Sequence, residues 1–443
     1  MIKKLQLLIV TLSTFTFGLN AQELVLNPSS ITHPVLASNG MVATQHYLAS
    51  EVGEDILSQG GNAYDAAVAV GFALAVVLPR AGNIGGGGFM VMHDAPSNES
   101  YSIDYREKAP LKASRDMYLN EDGSVNSLRS TIGYLAIGVP GSVYGMWEVH
   151  KKFGSMPWEK LLQPAIELAN NGFEMSPYMT MTLNRVHRKL SQFEETESIF
   201  YKDYPIKFNT LLIQTDLAQT LRLIAQNGVA GFYEGEVANK IVSAMEKNGG
   251  LISHRDLKKY RPSWRKPLKS KYRGFDVVTM GPPSSGGIHL IQMLNILENH
   301  DLKAFGHNNP RYVSLLTEVM KYAYADRSEY LGDPDFYKVP VDELTSKEYS
   351  KAINQKLKLF EFMTPPPTPS SSIEPGEYMR KESIETTHYS IADQYGNIIS
   401  NTYTLNSSYG SGVTIEGTGI LMNNEMDDFS ASPGTPNQFG LLG

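Results

Sequence analysis

Apolar positions along this chain switch between two spacings, and the switches outline a protein of mixed helices and strands. Apolar residues recur at helical intervals from Ala43 through Tyr47, Leu48 and Val52 to Leu57, and Gly60 with Gly61 predicts a stop there. Asn62 or Asp65 then opens a second, alanine-rich helix that Pro79 ends. Amphipathic helices are also predicted over residues 161–170, 215–227 and 237–247, closed by Gly172, Gly228 and the pair Gly249 and Gly250. Another follows the rigid-then-flexible turn from Pro282 to Gly287. The glycines at 85–88 lead into an apolar strand, and Tyr101 to Pro110 reads as a strand ending in a charged turn. Near the end, residues 387–393 and 397–405 read as paired strands joined by Gln394-Tyr395-Gly396. A three-residue connection with Gly last suits a type I turn closed by a left-handed residue. That closure pairs Asp393 with Asn397, so Thr386 faces Thr404 and His388 faces Thr402. By the period of two, Asn406 falls on the same face. A Pro- and Ser-rich stretch, 364–372, precedes the hairpin and reads as an exposed linker.

Composition narrows the chemistry. With 42% hydrophobic and 19% charged residues the 443-residue chain is globular. A net charge of −7 with scattered Lys and Arg excludes a nucleic-acid surface. Cysteine is absent, which excludes disulfides, thiolate metal sites and a cysteine nucleophile. Lys3 and Lys4, an apolar run over 5–19 and Ala21 predict a signal peptide over 1–21, hence an exported, periplasmic protein. The run is too short and too rich in Thr and Ser to span a bilayer, and no later stretch reaches transmembrane length.

Several segments carry candidate chemistry. The glycine run lacks a Gly-Lys-Ser/Thr ending and enters a strand, so it is no phosphate loop. It implies backbone packed close to something in torsions Gly tolerates, either structural or beside a substrate. Arg106 at a strand end is either a solvated cation or a carboxylate clamp. The four acids within 322–335 do not follow a calcium-loop pattern and read as helix-end charge pairing. Thr386 is the sharpest candidate. A Thr hydroxyl needs a base, and a Thr at a chain start brings one, its own α-amine. Attack of Thr386 on the Glu385 carbonyl, followed by ester hydrolysis, would expose that amine, and Thr404 across the hairpin could hold the hydroxyl. The competing account is that threonines face each other because Thr suits strands.

At these residues the chain resembles the γ-glutamyltransferases of the N-terminal-nucleophile hydrolase superfamily. The likeness runs from about Ala37 to the last residue. It rests on Gly60-Gly61-Asn62-Ala63, Gly82 to Phe89, Asp104-Tyr105-Arg106-Glu107, Pro283-Ser284-Ser285-Gly286-Gly287 and Tyr324-Ala325-Asp326-Arg327. It continues through Thr386-Thr387-His388-Tyr389-Ser390 and Asn423-Asn424-Glu425-Met426-Asp427-Asp428-Phe429. The resemblance implies an α/β (α+β) four-layer αββα sandwich, a large subunit over 22–385 and a small one over 386–443. It implies autocleavage between Glu385 and Thr386, Thr386 as nucleophile and Thr404 as its support. Arg106 would clamp the α-carboxylate of glutathione or another γ-glutamyl compound, with Asn406, Glu425 and Asp428 receiving its ammonium. Water, an amino acid or a dipeptide would accept the glutamyl group, with no cofactor and no metal. The family's lid tyrosine corresponds to Phe439. A Pro-Leu-Ser-Ser-Met-Ser-Pro segment and a Gly-Gly oxyanion pair expected of the family are not found before Gly443. The expectation is therefore a longer protein, of which these residues lack the C-terminal part. The alternatives are an acylase of another substrate on the same scaffold, or an inactive exported fragment.

Overall fold

The computed structural model describes residues 35–357 and 386–429. The predicted signal peptide, the 364–372 linker, Glu385 and Phe439 lie outside the described residues.

The elements that position the site follow in chain order. Strand β1 (Gly40–Ala43) leads to helices α1 (Tyr47–Ser58) and α2 (Ala63–Val77), then strands β2 (Gly87–Asp94) and β3 (Glu99–Asp104). Helices α3 (Ser142–Phe153), α4 (Trp158–Asn171), α5 (Thr215–Asn227) and α6 (Gly235–Asn248) come next. Strands β4 (Ser263–Arg265), β5 (Leu268–Tyr272) and β6 (Phe275–Thr279) precede α7 (Gly286–Leu297), α8 (Pro310–Tyr330) and α9 (Lys347–Lys356). Strands β7 (Thr386–Asp393) and β8 (Ile398–Thr404) close the set. One sheet runs β1-β7-β8-β2-β3-β4, antiparallel at every pairing, so the hairpin of its last two strands lies inside it, between β1 and β2.

One face of this sheet is the core. Tyr389 and Ile391 of β7, Ile399 and Tyr403 of β8, Met90 and Met92 of β2 and Ile103 of β3 alternate inward and are buried. They meet α2, whose fifteen residues are all buried, as expected of a helix apolar on every side. Asn62 and Asp65 form a reciprocal capping box at its start. The buried phenols of the sheet are satisfied by this helix: Tyr389 donates to the Ala67 carbonyl at 2.9 Å and Tyr403 to the Gly71 carbonyl at 2.8 Å. Ala67 and Gly71 are one turn apart, so both strands dock on a single stripe.

The opposite face is polar: Thr386, His388 and Ser390 alternate outward on β7, with Thr404, Thr402 and Ser400 opposite. The end of the β5–β6 hairpin reaches this face, since Thr279 and Met280 share a cavity with Thr386 and Thr402. Behind the hairpin, α7, α8 and α9 bury their own apolar cluster of Ile296, Leu297, Leu315, Val319 and Ile353. Helices, sheet, hairpin and helices follow the expected four-layer order.

Two expectations change. Ala43 is not the start of a helix; it ends β1, which pairs with β7, and this tertiary pairing overrides the apolar spacing. Asp326 is not in a helix-end charge pair. It lies inside the α7–α9 cluster, where it accepts from Gln292 and from Tyr349 Oη at 2.9 Å.

The hairpin turn is held by Asp393, which is 7% exposed. Its Oδ1 accepts from the amides of Tyr395 and Asn397, both at 2.9 Å. Its Oδ2 accepts from Asn397 Nδ2 and from the Ala63 amide, both at 2.8 Å, tying the turn to the start of α2. Gly396 has φ +89°, the left-handed closure expected. Asp393→Ala should therefore cost about 3 kcal/mol or more in urea unfolding, since it strands several buried donors at once. A loss below about 0.5 kcal/mol, the range of neutral surface changes, would contradict this role.

Candidate active site

The register places four residues in one row across four strands. Thr386 pairs with Thr404 and Thr404 with Gly87. Gly88 exchanges backbone hydrogen bonds with Tyr105, at 3.4 and 2.9 Å, so Arg106 stands opposite Gly87. Directly opposed residues share a face, and the row Thr386, Thr404, Gly87, Arg106 lies on the polar one.

Gly87 makes this row a site. A Cβ there would lie 2.5 Å from Glu107 Oε2 and 2.6 Å from the Tyr105 carbonyl, so the position is empty of side chain by necessity. The row borders a cavity of about 440 Å³ lined by Gly87, Thr386, Thr404, Arg106, Glu107 and Glu425, with Ser284, Gly286 and Gly287 at the entry to α7. The rest of the glycine run is equally constrained. A Cβ at Gly82 would strike the Leu74 carbonyl, at Gly85 that of Leu421, at Gly86 that of Thr404 and at Gly88 that of Thr402. Close approach, as expected, explains the run; unusual torsion does not, because none of Gly82 or Gly85 to Gly88 has a positive φ.

The charged end of the cavity is assembled by two neutral amides. Asn423 and Asn424 are fully buried. Asn423 Nδ2 donates to the carbonyls of Gly85 and Gly138, both at 2.8 Å, and its Oδ1 accepts from the amides of Gly138 and Glu425 at 2.9 and 3.0 Å. Asn424 Oδ1 accepts from the Ser407 amide at 2.9 Å. The tight turn Glu425–Asp428 is thereby strapped against the glycine run, and Arg106 forms ion pairs with Glu425 (2.5 Å) and with Asp428. One cation faces two carboxylates, a set matched in charge to an amino-acid head group.

Of the residues singled out from sequence, the structure brings Thr386, Thr404, Arg106 and Glu425 together, and Asp428 joins through Arg106. Asn406 differs. Strand β8 ends at Thr404, and Asn406 takes a left-handed turn with φ +74°, so the period of two does not carry to it. Its side chain is buried and donates to the Asn424 carbonyl at 2.9 Å, while its amide donates to Thr404 Oγ1 at 2.9 Å. Sequence reasoning gave no role to Glu107, His388, Ser284 or Gly286. His388 belongs to the next row and bonds Thr402 Oγ1 through Nδ1 at 2.7 Å and Ser390 Oγ through Nε2 at 3.1 Å. Glu107 is 8% exposed, and neither carboxyl oxygen has a hydrogen-bond partner among the described residues. Its position beside Arg106 was the available signal. Burial, and then the negative Glu425, push its carboxyl well above the usual range against the pull of Arg106.

Comparison with known proteins bears on the same residues. A family model for gamma-glutamyltranspeptidase matches residues 49–442. The glutathione hydrolase proenzyme of Escherichia coli (strain K12) is 48% identical over 415 residues, covering 93% of this chain and 70% of that protein. The acylase ACY 1 proenzyme of Pseudomonas sp. (strain V22) is 38% identical over 408 residues, covering 90% and 71%. The crystal structure of Helicobacter pylori gamma-glutamyltranspeptidase superposes with a TM-score of 0.73 at 45% identity, covering 80% of this chain and 99% of that one.

Glu107 has a consequence for stability. Its folded-state pKa lies above the ordinary value of 4.5, so the folded protein holds a proton that the unfolded chain has released. Its contribution is most favourable below about 4.5 and is lost as pH rises toward the folded value. Glu107→Gln should therefore unfold at higher urea concentration than wild type near pH 8, with the gap shrinking toward about pH 4. A gap constant with pH, or reversed, would contradict the buried, unpaired state of this carboxyl.

Proposed function

The chain belongs to the gamma-glutamyltranspeptidase family, and we propose that Thr386, exposed by cleavage of its bond to Glu385, is the nucleophile that takes the γ-glutamyl group from glutathione and related compounds. The protein is a γ-glutamyl hydrolase and transferase of the threonine N-terminal-nucleophile type. Cleavage divides it into a large subunit over 22–385 and a small one beginning at Thr386.

The observation that carries the residue assignment is the shared row. Thr386 and Arg106 stand at opposite ends of it, with Thr404 and Gly87 between them. A γ-glutamyl donor bridges these ends: its reacting amide meets Thr386 and its amino-acid head lies at Arg106. Arg106 pairs with the α-carboxylate in place of its present acid partners, and Glu425 and Asp428 turn to the α-ammonium. The α-amine of Thr386, with an ordinary pKa near roughly 8, takes the hydroxyl proton as Oγ attacks the γ-carbonyl. Thr404 Oγ1 accepts the Asn406 amide at 2.9 Å, and Thr404 stands directly opposite Thr386 in the ladder. Asn406 thus acts on the nucleophile through Thr404. The glutamyl ester then passes to water or to an amino acid or dipeptide.

No helix among the described residues is long and apolar enough to cross a membrane. With the leader read at 1–21, this supports export to the periplasm. The second reading, an acylase as in the Pseudomonas relative's name, is disfavoured by the Arg106, Glu425 and Asp428 cluster, which suits a zwitterion and not an apolar acyl chain.

Thr386→Ala should stay a single chain on denaturing gels and show no turnover of a γ-glutamyl anilide, while wild type gives two bands and turnover. A variant that is still cleaved between 385 and 386 would sink the assignment. Arg106→Lys should lower kcat/KM for the donor about 10- to 100-fold, mostly through KM, because the planar fork is lost while the charge remains. An unchanged KM would place the head group elsewhere.

A further inference from the structure

Arg106 lies beyond the end of β3 at Asp104, and side chains replace the ladder in holding its backbone. Its amide donates to Asp104 Oδ1 at 3.0 Å, and its carbonyl accepts from Tyr260 Oη at 2.8 Å. Asp104 is buried, and its carboxylate is in turn held from outside the row, where Oδ2 accepts from Arg265 Nε at 2.8 Å. Arg265 ends the edge strand β4 opposite Ser102, whose hydroxyl donates to the Arg265 carbonyl at 2.8 Å. Its Nη1 and Nη2 donate to Asp335 Oδ1 and Oδ2, both at 3.0 Å. This is a bidentate fork, which fixes a guanidinium in plane as well as distance. Asp335 sits in the loop after α8, where its amide donates to Asp333 Oδ1 at 2.9 Å. A bridge therefore runs from that loop through Arg265 and Asp104 to the backbone of Arg106. None of its three side chains lines the cavity.

We propose that Arg265, clamped by Asp335, is a positioning residue that orients Asp104 and through it Arg106, and so sets the affinity for the donor α-carboxylate. This rests on the reading of Arg106 as the carboxylate clamp. Bidentate pairing tolerates little rotation, and a turn of the Arg106 peptide is magnified along its side chain. Without Arg265, the Asp104 carboxylate keeps only the Arg106 amide among the described residues. Buried and underpaired, it is drawn to the Arg106 guanidinium as a rival of the substrate. Asp335 keeps Arg265 from swinging out to solvent and leaving Asp104 in that state. The α-carboxylate is bound alike before and during reaction, so misplacing Arg106 weakens both states together and the loss falls on KM.

The test measures kcat and KM for a γ-glutamyl anilide with the purified, processed enzyme. The variants are Arg265→Lys, Asp335→Asn and Arg106→Lys, with Arg106→Lys also combined with Asp335→Asn. Arg265→Lys keeps the charge but cannot reach Asp104 and Asp335 at once, and should raise KM about tenfold. Asp335→Asn should raise KM about fivefold, with kcat in both variants within about twofold of wild type. Asp335 is exposed, so its replacement leaves the fold intact even if the Arg265 variant does not accumulate. In the Arg106→Lys background Asp335→Asn should change KM less than about twofold, because the fork it positions is already gone. A KM unchanged by Asp335→Asn while Arg106→Lys raises it would overturn the bridge alone. The same fivefold loss in both backgrounds would also overturn it, since the loop would then act by some route other than Arg106. An Arg106→Lys enzyme with the wild-type KM would overturn the bridge together with the clamp reading.

Discussion

A single carboxylate at a hairpin turn sets where Thr386 and Thr404 point. Asp393 gathers the amides of Tyr395 and Asn397, the Asn397 side chain and the first amide of α2. That clamp fixes the β7–β8 register, which then runs seven pairs along the ladder to Thr386 and Thr404. In a sheet with one buried face, a slip of one residue would turn Thr386 inward and Thr387 outward. The docking of Tyr389 and Tyr403 on α2 opposes the same slip from the core side. The hydroxyl at the active end and the phenols in the core are held by one register.

The second constraint is closeness of backbone. The glycines at 85–88 pass their neighbours so tightly that no side chain fits, and Gly87 also borders the cavity. Arg106 and Thr386 line one cavity beside it. Asn423 and Asn424 use neutral amides to strap the acidic turn against this run, adding no charge of their own. The charges that remain, Arg106 against Glu425 and Asp428, are free to exchange one another for a zwitterionic head group. Glu107 is the exception. Its unpaired burial costs stability, a cost expected at a working site and uncommon elsewhere.

Much of this was legible from sequence because it is local. The Gln394-Tyr395-Gly396 turn determines its own pairing, so the opposition of Thr386 and Thr404 could be read from three residues. The alanine-rich helix with its Asn62 and Asp65 start was readable for the same reason. Arg106 could not be placed that way. Its place in the row depends on β2 lying between β8 and β3, and the β8–β2 pairing spans some three hundred residues and leaves no periodic trace. Asn406 was misplaced because alternation was carried past the end of β8 into a left-handed turn. Ala43 fits the helical spacing of the residues after it, and one apolar position cannot separate a period of two from one of 3.6. The wall at α7 was out of reach too, since nothing in a Pro-Pro-Ser-Ser-Gly-Gly turn says what it will face.

The central claim is that Thr386 becomes a chain terminus and attacks from one end of this row. The most direct measurement is peptide mapping by mass spectrometry after treating the purified protein with a glutamine-like diazo ketone, an electrophile with the γ-glutamyl head group. The account predicts a covalent adduct on a peptide that begins at Thr386, located on that residue, and its loss when excess glutamate competes. An adduct on any other residue, or on Thr386 within a chain still joined to Glu385, would contradict it.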